Sequence, residues 1–247
     1  MKTRMGKQLG KRMAAFGLAM VLCASLLTGC GSFDEAEVAV TIGEDQVSAG
    51  MANFFARMQQ AQYESYYANM MGTTGKEMWG QKVDDKDMTF EESVKEGLLT
   101  SLENMYLLKQ HAEEFDVAIT PEEQKEIEKA AEKFADANAL EDKEAVSGTK
   151  DNVEEFLQLA TIQKKMEGPM KAGVNEEVTD EEAEGKDKAS IIEERKQAKY
   201  DDLLEAWRNE TKIEVNEKVW EQIDFQKLGV TVKDSADQYE DGPVAVE

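Results

Sequence analysis

Apolar residues recur at every third or fourth position through most of this chain, a spacing that predicts helices. Ser48 N-caps the first, which runs to about Gly72 with Met51, Phe54, Phe55, Met58, Tyr66 and Met70 on its stripe. Thr89-Phe90-Glu91-Glu92 reads as a capping box, and Phe90, Val94, Leu98, Leu102, Met105, Leu108, Ala112 and Phe115 follow it. Thr120-Pro121-Glu122-Glu123 opens a third helix, charged and weakly apolar (Ile127, Ala130, Ala131, Phe134), which belongs on the surface. A fourth is predicted from Asn152 to about Met166, stopped or kinked by Gly168-Pro169, and a fifth from about Ala189 to Asn209. Val38–Ile42, followed by the turn signal Gly43-Glu44-Asp45, and Lys212–Val215 are β-prone, and a helical turn is expected over Glu217–Ile223. The predicted fold class is mainly α with two short β-prone segments far apart in sequence.

One apolar run has a different meaning. MKTRMGKQLGKR carries five basic residues and no acid, and MAAFGLAMVLCASLLT follows it uncharged. The run falls short of the roughly 20 residues of a spanning helix and reads as the core of a secretory signal. Leu27-Thr28-Gly29-Cys30 is a lipobox pattern, so Cys30 is expected to carry lipid and to begin the mature chain. Cys23 falls in the discarded part, so no internal disulfide is expected and stability must come from packing.

Charge narrows the partners. Without residues 1–29 the chain has 24 basic and 52 acidic residues, formally −28. That excess disfavours nucleic acid, whose phosphates must be neutralised, and keeps a tethered protein soluble.

Reactive chemistry is sparse. His111 is the single histidine, placed to meet helix C-terminal carbonyls or solvent, with no second histidine or cysteine beside it for a metal. No glycine loop is spaced for phosphate, and Asp84-Asp85-Lys86-Asp87 lacks the spacing of a calcium loop. Neither catalytic residue nor cofactor is expected. What stands out is the Met- and aromatic-rich stretch from Met51 to Phe90. Flexible thioethers and aromatics with polar tips suit varied apolar partners. Tyr63, Tyr66 and Tyr67 wrap around the helix axis, so one buried face does not accommodate all of these side chains. Phe54, Phe55, Tyr63, Tyr66, Tyr67, Met70, Met71 and Trp79 are the expected contacts for a polypeptide client, with ordinary core packing as the alternative.

The lipobox, "IGEDQVS", a long helix, "MWG" and "MTFEESVKEGLLTSLENMYLLKQHAEEFDVAITPEEQKEIEKAAEKF" together resemble the N-terminal chaperone region of SurA-like and PrsA-like extracytoplasmic foldases. The likeness is clearest over residues 37–136 and resumes at "IIEERKQAKYDDLLEAWRNETKIEVNEKVWEQI" (191–223). It implies a helical chaperone domain closed by a C-terminal helix, with Val38–Ile42 near Ile213–Val215. Full-length members carry a parvulin prolyl isomerase domain before the closing helix. Only the dozen residues Val178–Ala189 stand there, too few for a domain, and the paired parvulin histidines are absent.

The resulting layout is a signal peptide (1–29), a tether (30–36), a helical chaperone-like region (37–173) and a short linker (174–190). A closing helix, strand and turn (191–228) and a disordered acidic tail (229–247) complete it. The expected function is that of a lipid-anchored chaperone or foldase-like lipoprotein on the outer face of the cell membrane, holding unfolded or newly secreted polypeptides without isomerase activity. The alternatives are an adaptor for one dedicated partner and a prolyl isomerase by family label.

Overall fold

The computed structural model describes residues 33–68, 75–83, 87–136, 145–183 and 185–230. The signal peptide, Cys30, Met70, Met71, the side chain of Tyr67 and the tail beyond Val230 lie outside the described residues. Within them the chain is mainly helical with one small sheet.

The sheet is antiparallel, in the order β2-β1-β3. Strand β1 (Val38–Ile42) turns through Gly43 and Glu44 into β2 (Asp45–Ser48), pairing Val40 with Val47 and Ile42 with Asp45. Gly43 adopts φ +58°, a left-handed conformation open to glycine at little cost. On its other edge β1 pairs with β3 (Ile213–Val215), Val40 opposite Val215 and Ile42 opposite Ile213. The segments near the two ends of the described chain therefore meet, as the likeness implies. A third strand, β2, is added to the two expected. Its sequence DQVS has a single apolar residue, too short an alternation to register as a strand.

Helix α1 (Ala49–Gln62) starts where Ser48 Oγ accepts the Met51 N–H at 3.1 Å, and it continues as a π-helical turn, Tyr63–Ala68. After α2 (Gly75–Trp79), α3 (Phe90–His111) opens with the expected capping box at Thr89 and Glu92. Its stripe Val94, Leu98, Leu102, Met105 and Leu108 is buried. A 3₁₀ turn (Ala112–Phe115) follows, and Asp116 at φ 53° ends it. Helix α4 (Pro121–Asp136) buries only Ile127 and Ala131 and is a surface helix, as its composition predicts.

Helix α5 (Lys150–Lys171) is longer than its pattern suggests. Thr149 caps it, and Pro169 lies inside its last turn instead of ending it. The proline gives up one ladder hydrogen bond there, while Met166 and Met170, both fully buried, hold the turn in place. A short helix α6 (Asp180–Ala183) occupies the expected linker, capped reciprocally by Thr179 and Glu182. Helix α7 (Lys188–Glu210), capped by Asp187, leads into β3 and then α8 (Glu217–Trp220).

Helix α1 lies at the centre. Residues 49–57, 60 and 61 are buried, so all sides of the helix face protein. Phe54 meets Phe134 of α4 and Phe156 of α5 edge-on at 5.6 and 5.9 Å, and Phe55 packs in the main core. Ala49–Ala61 thus leaves no open face, whereas Tyr66 on the following turn is 59% exposed.

Candidate functional site

A central helix that carries polar residues must give each of them a partner, because an unpaired buried polar group costs about 1–3 kcal/mol. On α1 and its π turn Asn53, Arg57, Gln60 and Glu64 are all buried. Spaced at intervals of three and four, they form one polar stripe down the buried helix. They bond to each other in series: Arg57 Nε donates to Asn53 Oδ1 at 3.1 Å, Arg57 Nη1 to Gln60 Oε1 at 2.6 Å, and Gln60 Nε2 to Glu64 Oε1 at 2.7 Å. Asn53 is fixed in turn by donating to Ala145 O and Ser147 Oγ.

The stripe also grips a stretch of main chain. After α8 the polypeptide runs through residues 221–230 with turns but no helix or strand. Arg57 Nη1 donates to Asp224 O at 3.1 Å, and Gln60 Nε2 to Phe225 O and Leu228 O at 3.1 and 2.6 Å. Glu64 Oε2 accepts the Val230 N–H at 2.7 Å. From the other side Glu91 and Lys95, one turn apart on α3, complete the grip. Glu91 Oε1 accepts the Phe225 N–H at 2.6 Å, and Lys95 Nζ donates to Trp220 O and Ile223 O at 3.1 and 2.7 Å. We call residues 224–230 the strap.

Two strap side chains are deeply buried. Phe225 packs 4.8 Å from the Trp79 ring, with the Arg57 guanidinium 5.5 Å from its centroid. Val230 joins Ala61 and Val146 in a small apolar cluster. Between them Gln226, Lys227 and Gly229 are exposed. The floor under Phe225 is aromatic: Trp79 stacks on Phe90 at 5.4 Å, and Tyr63 meets both edge-on. Trp79 Nε1 donates to Glu64 Oε1 at 2.8 Å.

Burial sets the electrostatics. It lowers the Arg57 pKa, against the attraction of Asp224, Glu91 and Glu64, and it lowers that of Lys95 against Glu91 and Asp224. Guanidinium titrates too high for such a shift to discharge it near neutrality. Arg57 thus stays a cation among carboxylates, and both it and the partly buried Lys95 bond carbonyl oxygens.

The structure divides the expected client contacts. Phe54, Phe55 and Trp79 are 1%, 3% and 0% exposed, so none is a free surface contact. Tyr63 is half-buried over the core, and Tyr66, 59% exposed, presents its ring to solvent. Trp79 contacts the chain's own strap through Phe225, and Tyr63 contacts Trp79 and Phe90 in the floor beneath it. The groove residues Arg57, Gln60, Glu64, Glu91 and Lys95 were missed from the pattern. For Arg57, Gln60 and Glu64 the signal was a polar stripe running through an otherwise apolar helix.

Elsewhere the chemistry is quiet. His111 stacks on Trp207 at 4.2 Å with the rings nearly parallel, and its Nδ1 lies 2.8 Å from Glu114 Oε1, in place of the expected helix carbonyls. Among the described residues no group of three or more His, Cys, Asp or Glu could hold a metal. No described helix is long and apolar enough to cross a membrane. Open hollows of about 350 and 320 Å³ flank α5, the larger bordered by Asp151, Glu154 and Glu155.

Comparison with protein-family models, with curated proteins and with solved structures gives no match for this chain.

Proposed function

We propose that this chain is an extracytoplasmic lipoprotein, anchored through Cys30, that binds unfolded or newly secreted polypeptides without a cofactor and without prolyl isomerase activity. Its fold, in this reading, is of the SurA N-terminal kind, closed by α7 and β3. The observation that carries the reading is the strap: a turned segment without helix or strand, held largely through main-chain carbonyls and amides over an aromatic floor. Main-chain groups are common to all polypeptides, so a site that bonds them tolerates varied sequences, as a chaperone must. The pairing of β1 with β3 supports the closed arrangement. The net negative charge supports a soluble body beside the membrane.

The test is dilution of a chemically unfolded client protein into buffer containing the full chain in detergent micelles. Suppression of light scattering near equimolar ratio is expected. Scattering unchanged at a tenfold excess would remove chaperone activity. Capture of one folded protein at fixed stoichiometry would favour the adaptor reading instead.

A further inference from the structure

We propose that the strap is a tethered self-ligand: the groove between α1 and α3 accepts a turn-forming polypeptide segment in place of residues 224–230, and a client enters by displacing them. This inference rests on the proposed polypeptide-binding function and specifies where and how binding occurs.

Three observations carry it. The first is the mode of contact. Arg57, Gln60, Glu64 and Glu91 bond carbonyls and amides of the strap, Lys95 bonds the carbonyls of Trp220 and Ile223 just before it, and one strap side chain, Gln226, donates to Glu91. A different segment that takes the same turn offers the same main-chain acceptors and donors. Apolar selection falls mainly on the Phe225 and Val230 positions, with Leu228 half-buried against the Val230 cluster; Lys227 faces solvent, and the exposed Gln226 bonds Glu91. At Gly229 an added Cβ would come no nearer than 3.7 Å, to Glu64 Oε2, which is ordinary contact. The groove thus fits a segment with an aromatic residue and, five positions later, an aliphatic one.

The second is that the groove keeps most of its own bonds when vacated. Asn53, Arg57, Gln60 and Glu64 are linked in series, and Trp79 remains bonded to Glu64. Lys95 keeps its bonds to Trp220 O and Ile223 O, which lie before the strap, and it stands at i+4 from Glu91 in the order that favours their pairing once the Phe225 amide is gone. The usual penalty for exposing or orphaning buried charge is therefore reduced, which is what a reversible site requires.

The third is the anchorage. Helix α8 is held independently of the strap: Asn216 N–H bonds Ala39 O of β1, and Val219 and Trp220 are buried in the main core. The strap can leave while its root stays. A tethered ligand acts at an effective concentration in the millimolar range, so it screens the groove against weak ligands and yields to strong ones.

The experiment uses the full chain in detergent and a fluorescein-labelled peptide, EQIDFQKLGVT, copied from residues 221–231. Phe225→Ala weakens the strap and leaves every groove residue intact. Peptide affinity is expected to rise at least tenfold over the unmodified chain, and to vanish when the peptide's own phenylalanine is replaced by alanine. Equal binding to both chains, or binding to neither, overturns the proposal.

A second variant guards against misfolding. In a Cys23→Ser/Cys30→Ser background, Ala61→Cys with Val230→Cys places two thiols in one apolar cluster. The oxidised, locked chain is expected to bind peptide at least tenfold more weakly than the reduced one, and identical affinities overturn the proposal. Client aggregation separates the two readings. Exchange of peptide without any suppression of aggregation sinks the chaperone function and leaves the groove standing. Suppression that is the same in locked and reduced chains does the reverse.

Discussion

Glu64 and Trp79 meet beneath the strap, the indole Nε1 donating to Glu64 Oε1 at 2.8 Å while the other carboxylate oxygen holds the Val230 N–H. One buried carboxylate thereby joins the central helix, the following short helix and the last described turn of the chain. Sequence places these groups far apart; the carboxylate is the point at which they share a partner.

Replacing Glu64 by alanine leaves the Trp79 and Val230 donors without their acceptor, while Gln60 keeps Phe225 O and Leu228 O. Each buried donor left unmade costs about 1–3 kcal/mol, so a loss of about 3 kcal/mol or more is expected in urea unfolding. Glu64→Gln, which keeps the shape and one acceptor, is expected to lose less than half of that. Equal losses for the two variants would show that shape, not hydrogen bonding, sets the cost.

Gly43 turns the β1–β2 hairpin at φ +58°, and a Cβ there would lie 3.2 Å from Gln110 Oε1 and 3.3 Å from Thr211 Cγ2. Gln110 cannot give way freely, since its Nε2 donates to Ile42 O and Asp45 Oδ2, both at 2.7 Å. Gly43→Val is expected to destabilise by about 2 kcal/mol, from the left-handed backbone and the displaced amide. Thermal unfolding measures it, and an unchanged midpoint would mean that the turn relaxes without strain.

Asp224 sets the strap's response to acid. Burial pushes its carboxyl up, but the Lys227 ammonium, 2.9 Å away, and the main-chain N–H groups of Lys227 and Gln226 outweigh that, leaving it below its ordinary value of 3.8. As pH falls, the unfolded chain takes up the proton first, so the folded state loses ground. The stabilisation is complete above the ordinary value and disappears as pH drops through the lowered one. The urea midpoint of the unmodified chain is therefore expected to exceed that of Asp224→Asn at pH 7 and to converge with it below about pH 3. A gap that is constant from pH 7 to pH 2 would assign the difference to something other than this charge.

Cys30→Ser tests the anchor. Acyl chains contribute ~0.8 kcal/mol per buried methylene, so losing them is expected to move the protein from membranes to the soluble fraction. Cell fractionation with radiolabelled palmitate reads both the label and the location. Label retained on the serine variant would place the lipid elsewhere.

The helices were legible because their signals are local. A capping box such as Thr89 with Glu92, or Thr120 with Glu123, is satisfied within one turn, and the stripe Val94–Leu108 repeats with the helix itself. Strand β2 and the run of α5 past Pro169 were not legible. Their support comes from β1 and from the buried Met166 and Met170. The aromatic stretch was legible as unusual, while its burial was not, because counting the faces of one helix does not reveal that every face is covered.

The sequence alone determined where the long helices lie, where most of them begin, and that the body of the protein carries a large excess of negative charge, since those properties belong to neighbouring residues or to simple counts. Only the tertiary structure decided that Arg57, Gln60, Glu64, Glu91 and Lys95 converge on one length of main chain. The reason is physical: a side chain bonding a distant carbonyl or amide recognises no residue type, so the partner leaves no mark in the sequence.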